Sequence, residues 1–514
     1  MKFVWKLTGT ALLACWVSAA FAEDSVTQDK IFQLQKMLEE QEKIMQQQQW
    51  QMQSIAEELK ALQQSRADDK GKSEGSPVMA TFKEGLVFED GTGSWKLAIN
   101  GRLQADYRFD GNDEWSPSYS TADQNGAWDS FSIRRARLGA TFSFLKDFAV
   151  RVEGEYANES IGNKATTALT YGYLDFNRWK GAKIRMGQFK PFFGLERAQS
   201  SNFTDFTELS LATANGSIFT STYDRGVMVF GDPLPWLNYS LYYINGSAQN
   251  NDDTNDSKDV GGRINANFAQ LAEIKNAVIH VGASASDGTI GYSNQGTAKG
   301  TLKAYTEGAG SSNYGKEYFS VSGLATNDSD PERTRLGLET ALAYGPIKLQ
   351  AEYMHANFEG KNASAVNYDN DIHAWYMDVN WLLTGESWSD AYKNGAFARL
   401  KPKQSFDGKG GWGAWELGLR YSKFDASDFE NMLANTSETA TRGCTTAAKM
   451  ANAATTQCYS SEADAWTLGL KWMLNPNARI VLNYTHTEFD DPIKINGKID
   501  DSENAGVLRA QLDF

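Results

Sequence analysis

Arginine side chains recur at alternate positions in segments where every second residue is polar. In residues 96–109, Arg102 and Arg108 share the polar face with Gln104 and Asp106, and the opposite face is apolar. A guanidinium group can hold an oxyanion such as phosphate through two parallel hydrogen bonds, so rows of arginine suit anion binding. The candidate anion-binding residues are Arg102, Arg135, Arg137, Arg151, Arg185, Arg225, Arg263, Arg335 and Arg420.

Acidic residues on the same faces offer these arginines a second role. Carboxylates on neighbouring segments would pair with the guanidinium groups and brace a wall, without binding any solute. The candidate partners are Asp106, Glu153, Glu155, Asp175, Glu339, Glu352 and Glu416. The sequence leaves both roles open for each arginine.

Residues that would support an enzyme or a metal site are dispersed along the chain. The histidines are His280, His355, His373 and His486. They form no H-E-x-x-H motif. A G-x-G-x-x-G string at 408–413 precedes a strand instead of opening a helix, which does not fit a dinucleotide site. The acidic run 251–259 lacks the spacing of an EF-hand loop. We therefore expect no catalytic residues, no resident metal and no cofactor.

The amino terminus predicts export. A charged start and an apolar stretch lead to an A-x-A cleavage site at 20–22, so residues 1–22 are typical of a signal peptide. The alternative is a lipoprotein signal that ends at Cys15. Cleavage leaves Cys444 and Cys458, and two cysteines in an exported chain predict a disulfide.

Residues 23–65 predict a periplasmic α-helical coiled-coil stalk. Between Ile31 and Leu62, eight of the ten heptad a and d positions are apolar. The alternative is a single marginal helix. We expect the stalk to self-associate, most simply as a trimer, and to offer a contact with peptidoglycan. Residues 66–94 contain a charged, Gly/Ser-containing stretch typical of a linker.

Residues 95–514 predict an all-β, 16-stranded antiparallel transmembrane barrel. Strands of membrane barrels are about 9–11 residues long and alternate apolar outside with polar inside. Sixteen such segments occur, at 95–109, 131–144, 147–157, 168–177, 182–190, 224–231, 237–246, 259–269, 275–286, 333–344, 346–357, 371–383, 412–424, 463–473, 478–489 and 505–514. Short turns and long loops alternate between them, except that the turn at 384–411 is too long. A soluble sheet is the alternative for any single segment.

The barrel interpretation also accounts for the composition. A hydrophobic content of only 41% fits a barrel whose interior is polar and which has no conventional apolar core. The aromatic residues would form girdles at the two membrane interfaces. The net charge of −14 argues against nucleic acid as a partner.

Several strings along the barrel segments resemble one family. They are FSIRRARLGATF (131–142), GQFKPFFGLE (187–196), YDRGVMVFGD (223–232), LGLETALAYGPIKLQAEYM (336–354), WYMDVNWLLTGE (375–386), GAWELGLRYS (413–422) and LGLKWMLNPNARIVLNYTH (468–486). Together they resemble the phosphate-selective porin O and P family. The resemblance implies a trimeric, 16-stranded channel for small anions in the bacterial outer membrane, with the third external loop, here 191–223, folded into the pore.

This third loop departs from a strongly phosphate-selective pattern. No Lys or Arg lies between Arg197 and Arg225, whereas Asp205 and Glu208 are present. A basic constriction would then depend on the wall, chiefly on Arg102, Arg135, Arg137 and Arg225. We therefore expect an outer-membrane porin for small hydrophilic solutes, embedded in outer-membrane lipid, with a mild preference for anions such as phosphate. The alternative is a non-selective structural porin whose stalk tethers the outer membrane to the cell wall.

Overall fold

The computed structural model describes most of the chain beyond residue 76. The described residues are 57, 77–82, 85–110, 130–158, 166–214, 218–219, 223–253, 256–290, 300–307, 315–325, 330–362, 364–433, 440–442, 457–495 and 498–514. The chain divides into two units, Met1–Ser76 and Pro77–Phe514. The signal peptide expected at 1–22 lies outside the described residues, as does the stalk expected at 23–65 apart from Glu57.

The second unit is built almost entirely of strands. In chain order the strands are β1 (Val78–Phe82), β2 (Leu86–Asp90), β3 (Trp95–Asp110), β4 (Ser130–Phe144), β5 (Phe148–Asn158), β6 (Thr166–Trp179), β7 (Ala182–Phe189), β8 (Asp224–Leu234), β9 (Leu237–Ile244), β10 (Asp259–Asn267), β11 (Ala277–Thr289), β12 (Leu302–Tyr305), β13 (Glu317–Val321), β14 (Glu332–Tyr344), β15 (Ile347–Lys361), β16 (Asn367–Leu382), β17 (Tyr392–Lys393), β18 (Ala396–Phe397), β19 (Ala414–Asp425), β20 (Ala440–Arg442), β21 (Gln457–Tyr459), β22 (Glu462–Asn475), β23 (Ala478–Ile495) and β24 (Lys498–Asp513). The helices are short: α1 (Leu195–Ala198), α2 (Leu211–Ala214), α3 (Phe268–Leu271), α4 (Trp388–Ala391) and α5 (Glu430–Leu433), with a 3₁₀ turn at Ser427–Phe429. In the described part of the chain, no helix has the length and apolarity needed to cross a membrane.

Sixteen of these strands close into an antiparallel barrel. They are β3 to β11, β14 to β16, β19 and β22 to β24, each paired with its neighbour along this order. The last strand closes on the first, since β24 pairs with β3 from Asp513 opposite Arg102 to Ala505 opposite Asp110. Every one of the sixteen predicted segments is therefore confirmed as a barrel strand.

Alternation along the strands separates an apolar outer face from a polar inner face. Leu103, Val152, Leu338 and Leu468 are exposed on the outside of the wall. Their neighbours in sequence point inward, because successive side chains of a strand lie on opposite faces. Such an outer surface suits lipid, so the barrel can expose leucine and valine without an aqueous penalty.

A hairpin outside the barrel occupies part of the region expected to be a linker. Within 66–94, β1 and β2 form an antiparallel pair, and β2 pairs with the first half of β3. The terminal residue Phe514 exchanges backbone hydrogen bonds of 2.9 and 3.0 Å with Gly101. Thus β2 continues along β3 where β24 ends, and residues 78–82 and 86–90 of the expected linker form strands.

The barrel interior contains an apolar core, which the composition argument did not predict. The β12–β13 hairpin folds inward, so Phe319 packs against Phe424 and Phe429 with ring centroids 5.5 and 6.2 Å apart. Inward-facing Met354 and Ala463 belong to the same buried cluster. A fully polar interior was therefore wrong on this side, because folded loops exclude water from it.

The long connection at 384–411 also folds into the barrel. Trp388, Phe397 and Leu400 form a second buried cluster that includes Leu195 of α1. Hydrogen bonds fasten this connection to the wall; for example, the Tyr392 hydroxyl lies 2.6 Å from His280 Nδ1, and Arg263 donates to the Gly395 carbonyl at 2.8 Å. The connection is therefore long because it forms a folded insertion, and its length is compatible with the predicted barrel.

Candidate functional site: the barrel interior

The loop between β7 and β8 crosses the interior and contacts opposite walls. On one side, Arg102 of β3 donates to the Ser201 hydroxyl at 2.6 Å. On the other side, the backbone nitrogens of Leu195 and Glu196 donate to the carboxylate of Glu352 on β15 at 2.7 and 2.6 Å. We call residues 190–214, 218–219 and 223 the inner loop. Its position agrees with the expectation that the third external loop folds inward.

Asp205 and Glu208, the acidic residues of the inner loop noted in the sequence, are both held in ion pairs. Asp205 accepts two hydrogen bonds of 2.6 Å from Lys348, which is fully buried. Glu208 accepts a fork of hydrogen bonds from Arg134 at 2.8 and 3.0 Å. Glu208 also lies 2.7 Å from Arg509. Cations of the barrel wall therefore neutralise the negative charges of Asp205 and Glu208 in the inner loop.

A β-bulge places two consecutive arginines beside Glu208. Gln104 of β3 pairs with Arg135, but Ala105 pairs with Ile133, so Arg134 is the extra residue. Arg135 lies 3.7 Å from Glu208 and donates to the Gln104 side chain at 2.8 Å. Simple alternation would have turned Arg134 outward, which is why sequence reasoning missed it.

Three guanidinium groups share one carboxylate on the wall formed by β3 to β5. Glu153 lies 2.7 Å from Arg151, 3.7 Å from Arg137 and 3.9 Å from Arg102. Among the described residues, a second acidic partner is found for Arg137 alone of the three: Glu155, with 2.5 Å between them. Three positive charges therefore face two negative charges, and this wall carries an excess of positive charge.

Lys190 adds a further cation at the start of the inner loop. Its ammonium donates to the Gln199 carbonyl at 2.9 Å, which satisfies a donor but leaves the charge in place. Burial lowers the pKa of Lys190 well below its ordinary value, and the nearby guanidinium groups of Arg197, Arg137, Arg102 and Arg135 lower it further. That mutual repulsion is a sign of concentrated positive charge.

Tyrosine rings lie alongside the same arginines. The Arg151 guanidinium stands 4.5 Å from the ring centre of Tyr171, and Arg137 donates to the Tyr223 hydroxyl at 2.8 Å. Arg151 is more open than its neighbours, with 27% of its side chain exposed against 8% for Arg102 and 11% for Arg137. We call six side chains the cationic wall: Arg102, Arg134, Arg135, Arg137, Arg151 and Lys190.

Two further candidates on the adjoining strands have different positions. Arg185 faces inward but both arms of its guanidinium group bind Asp175, at 2.7 and 2.9 Å. Arg225 does not face inward. In the β8 register it shares the face of Val227, which is exposed on the outer surface, so the prediction that Arg225 lines the pore is wrong.

The remaining candidates face inward but are buried in ion pairs. Arg263 binds Glu339 at 2.8 Å, and Arg335 binds Asp259 at 2.7 Å. Arg420 binds Asp378 at 2.8 Å and also lies 2.5 Å from Glu196. Each of these three side chains is at most 2% exposed. They brace the filled side of the interior, so the second role left open by the sequence is the one they take.

Most of the acidic residues named from the sequence form ion pairs with cations of the wall. Asp106 binds Arg509, and Glu416 binds Lys471 at 3.0 Å. Glu352 has a different role, because it accepts hydrogen bonds from the inner loop and from the Tyr376 hydroxyl at 2.6 Å. Arg509 and Lys348 were not among the candidates. The alternation of polar and apolar residues within the predicted strands nevertheless places both on the polar face.

The cysteine region is only partly described. Cys458 on β21 is buried and disulfide-bonded. Cys444, its expected partner, lies outside the described residues, so the Cys444–Cys458 pairing stays a prediction.

Comparisons with known proteins show the family to which the chain belongs. The family described as "Phosphate-selective porin O and P" matches residues 97–514. Porin O of Pseudomonas aeruginosa is 26% identical over 453 residues, which cover 86% of this chain and 94% of that protein. Among solved structures, the anion-selective porin from Comamonas acidovorans is 11% identical with a TM-score of 0.46, covering 82% of this chain and all of that one. The outer membrane channel DcaP of Acinetobacter baumannii is 12% identical with a TM-score of 0.46, covering 83% and 99%. Since the family match spans most of the chain and the whole barrel closes, the protein belongs to the phosphate-selective porin O and P family and forms a channel in the bacterial outer membrane.

Proposed function

We propose that this outer-membrane channel conducts small hydrophilic solutes with a preference for anions, phosphate among them. The observation that carries the proposal is the shared carboxylate of Glu153. Three guanidinium groups surround it, and within the described part of the chain Glu155 supplies the one further carboxylate. A passage beside this wall attracts anions because fixed charges of one sign raise the local concentration of the opposite ion.

The filled side of the barrel strengthens the proposal. Folded loops and buried ion pairs occupy the interior along β14 to β23, where Arg420 and Lys348 are fully buried. Solutes are thereby confined to the side of the cationic wall. The acidic inner loop does not oppose them, since Asp205 and Glu208 are each matched by a cation.

The preference for phosphate over other anions is expected to be mild. Strong phosphate binding uses guanidinium forks whose two arms are free for the oxyanion. Here the forks of Arg134 and Arg185 already hold Glu208 and Asp175. Phosphate must compete with these carboxylates, so we expect it to block chloride current only at millimolar levels. A block at micromolar or lower phosphate would contradict a mild preference.

Reversal potentials across a planar bilayer in a KCl gradient test the anion preference. The wild-type channel is expected to select chloride over potassium, and Lys190→Gln is expected to reduce that selectivity. Arg178→Gln is the matched control, because Arg178 lies near the end of β6 with 62% of its side chain exposed. Cation selectivity of the wild type would refute the proposal.

We further propose that the chain matures by cleavage after residue 22 and assembles as a homotrimer through the coiled-coil stalk at 23–65. The heptad of apolar residues supports this assembly, and a contact between the stalk and peptidoglycan would add a tethering role. Deletion of 23–65 is expected to leave conductance unchanged but to lower trimer stability or peptidoglycan recovery. No change in either property would leave the stalk without these roles.

A further inference from the structure

Two histidines and an aspartate meet on the outer surface of the barrel. His355 of β15 lies directly opposite His373 of β16, and their rings stack with centroids 4.8 Å apart. A ring nitrogen from each histidine and a carboxylate oxygen of Asp371 lie within 4.8 Å of one another. We propose that His355, His373 and Asp371 bind a divalent transition-metal ion, with Zn²⁺ as the best match.

The donor set and its spacing favour zinc. Zn²⁺ accepts imidazole nitrogen and carboxylate oxygen, and three protein ligands leave a fourth tetrahedral position for water. Ligand atoms about 2.1 Å from a tetrahedral zinc lie about 3.4 Å from each other. His355 Nε2 and Asp371 Oδ1 are already 3.1 Å apart. A ring nitrogen of His373 lies within 4.8 Å of ligand atoms of both residues, so a small movement of this ring would complete the site.

Neighbouring side chains orient two of the three ligands. The Tyr353 hydroxyl lies 2.7 Å from Nδ1 of His373, and Asn357 donates to Oδ1 of Asp371 at 2.9 Å. A hydrogen bond to one ring nitrogen fixes the imidazole and leaves the other nitrogen for a metal. These contacts distinguish the group from a chance pair of surface histidines.

The position of the site indicates which effect a bound ion would have on the barrel. Tyr353 and Trp375 are exposed on the same outer face, whereas Met354 and Ala356, the sequence neighbours of His355, are buried in the interior. The ligands therefore lie on the outer face of the wall and outside the solute path. A bound ion would clamp β15 to β16 on this face without changing conduction.

Calorimetric titration with ZnCl₂ tests the site on full-length, tag-free channel in detergent after chelator treatment. One saturable site per chain is expected. His355→Ala and His373→Ala are each expected to weaken binding by about tenfold or more, since each removes one of three ligands. His486→Ala is the matched control, because His486 contacts Asn504 on another strand and has no second histidine beside it. X-ray absorption of the zinc-loaded protein should report two imidazoles per metal.

Conductance in KCl separates loss of the site from loss of the fold. Each variant is expected to conduct as the wild type does, since no ligand faces the interior. If an alanine variant fails to assemble, Asp371→Asn provides the same test, because an asparagine side chain can still accept from Asn357. Absence of saturable zinc binding by the wild type would overturn the proposal, as would unchanged affinity in both histidine variants. Neither result depends on the anion preference.

Discussion

Replacing Glu153 by glutamine removes one negative charge from the cationic wall and nearly preserves its shape. The side chain is fully buried, and it accepts hydrogen bonds from Thr170 at 3.1 Å and Asn100 at 3.3 Å as well as from Arg151. The amide oxygen of glutamine can retain part of this network. Glu153→Gln then leaves Arg102, Arg137 and Arg151 with Glu155 as their one carboxylate among the described residues.

The size of the effect follows from Coulomb's law. A unit charge about 6 Å from a permeating ion changes its energy by about 0.7 kcal/mol in water, and screening at about 0.1 M salt reduces this to about 0.4 kcal/mol. An anion gains this energy and a cation loses it, so the anion-to-cation permeability ratio should rise about fourfold.

Reversal potentials in a KCl gradient measure this ratio directly. Glu488→Gln is the matched control, because Glu488 lies on the outer face of β23 with 71% of its side chain exposed. Its ratio should equal that of the wild type. An assembled Glu153→Gln channel with an unchanged or lower ratio would refute the reasoning, since ions would then bypass the wall that Glu153 belongs to.

Two further predictions concern the inner loop. Because burial and the neighbouring guanidinium groups lower the pKa of Lys190, its ammonium loses a proton at a pH below that of an ordinary lysine, ~10.4, and anion selectivity should fall as the pH rises through that step. Lys190→Gln should remove that step from pH-dependent reversal potentials; a step of full size in the variant would exclude Lys190 as its origin. Lys348→Met leaves Asp205 as an unpaired buried carboxylate, which should lower the free energy of unfolding by about 3–5 kcal/mol. Adding Asp205→Asn should restore much of the loss in thermal denaturation, and equal losses in the single and double variants would show that the pair contributes nothing.

The alternation of apolar and polar residues was enough to predict the barrel, because this pattern has a local cause within each strand. A strand with lipid on one side must alternate, so Leu103 and Leu338 mark the outer face whatever the rest of the chain does. Arg102 and Arg137 were found in the same way. Arg134 was not found, because a one-residue bulge changes which face of the strand a residue occupies, and the residue types around it do not reveal the bulge.

Features that depend on contacts across the interior were beyond the sequence. Arg263 and Arg151 both lie on the inward face of their strands. Arg263 is nevertheless buried against Glu339, whereas Arg151 is partly exposed. What separates them is whether a folded loop covers them, here the 384–411 connection over Arg263. Likewise, His355 and His373 are eighteen positions apart, and only the β15–β16 register brings them together.

The filled interior explains how a chain of net charge −14 would present the cationic passage proposed above. Where loops exclude water, an unpaired charge is very costly, so Arg420 and Lys348 are each matched by carboxylates. Where water remains, charges need no full match, and the arginines around Glu153 can outnumber their partners. On this proposal, selectivity depends on which side of the barrel the loops leave open and not on the net charge of the chain. Opening the filled side should expose matched ion pairs and add conductance with little anion preference.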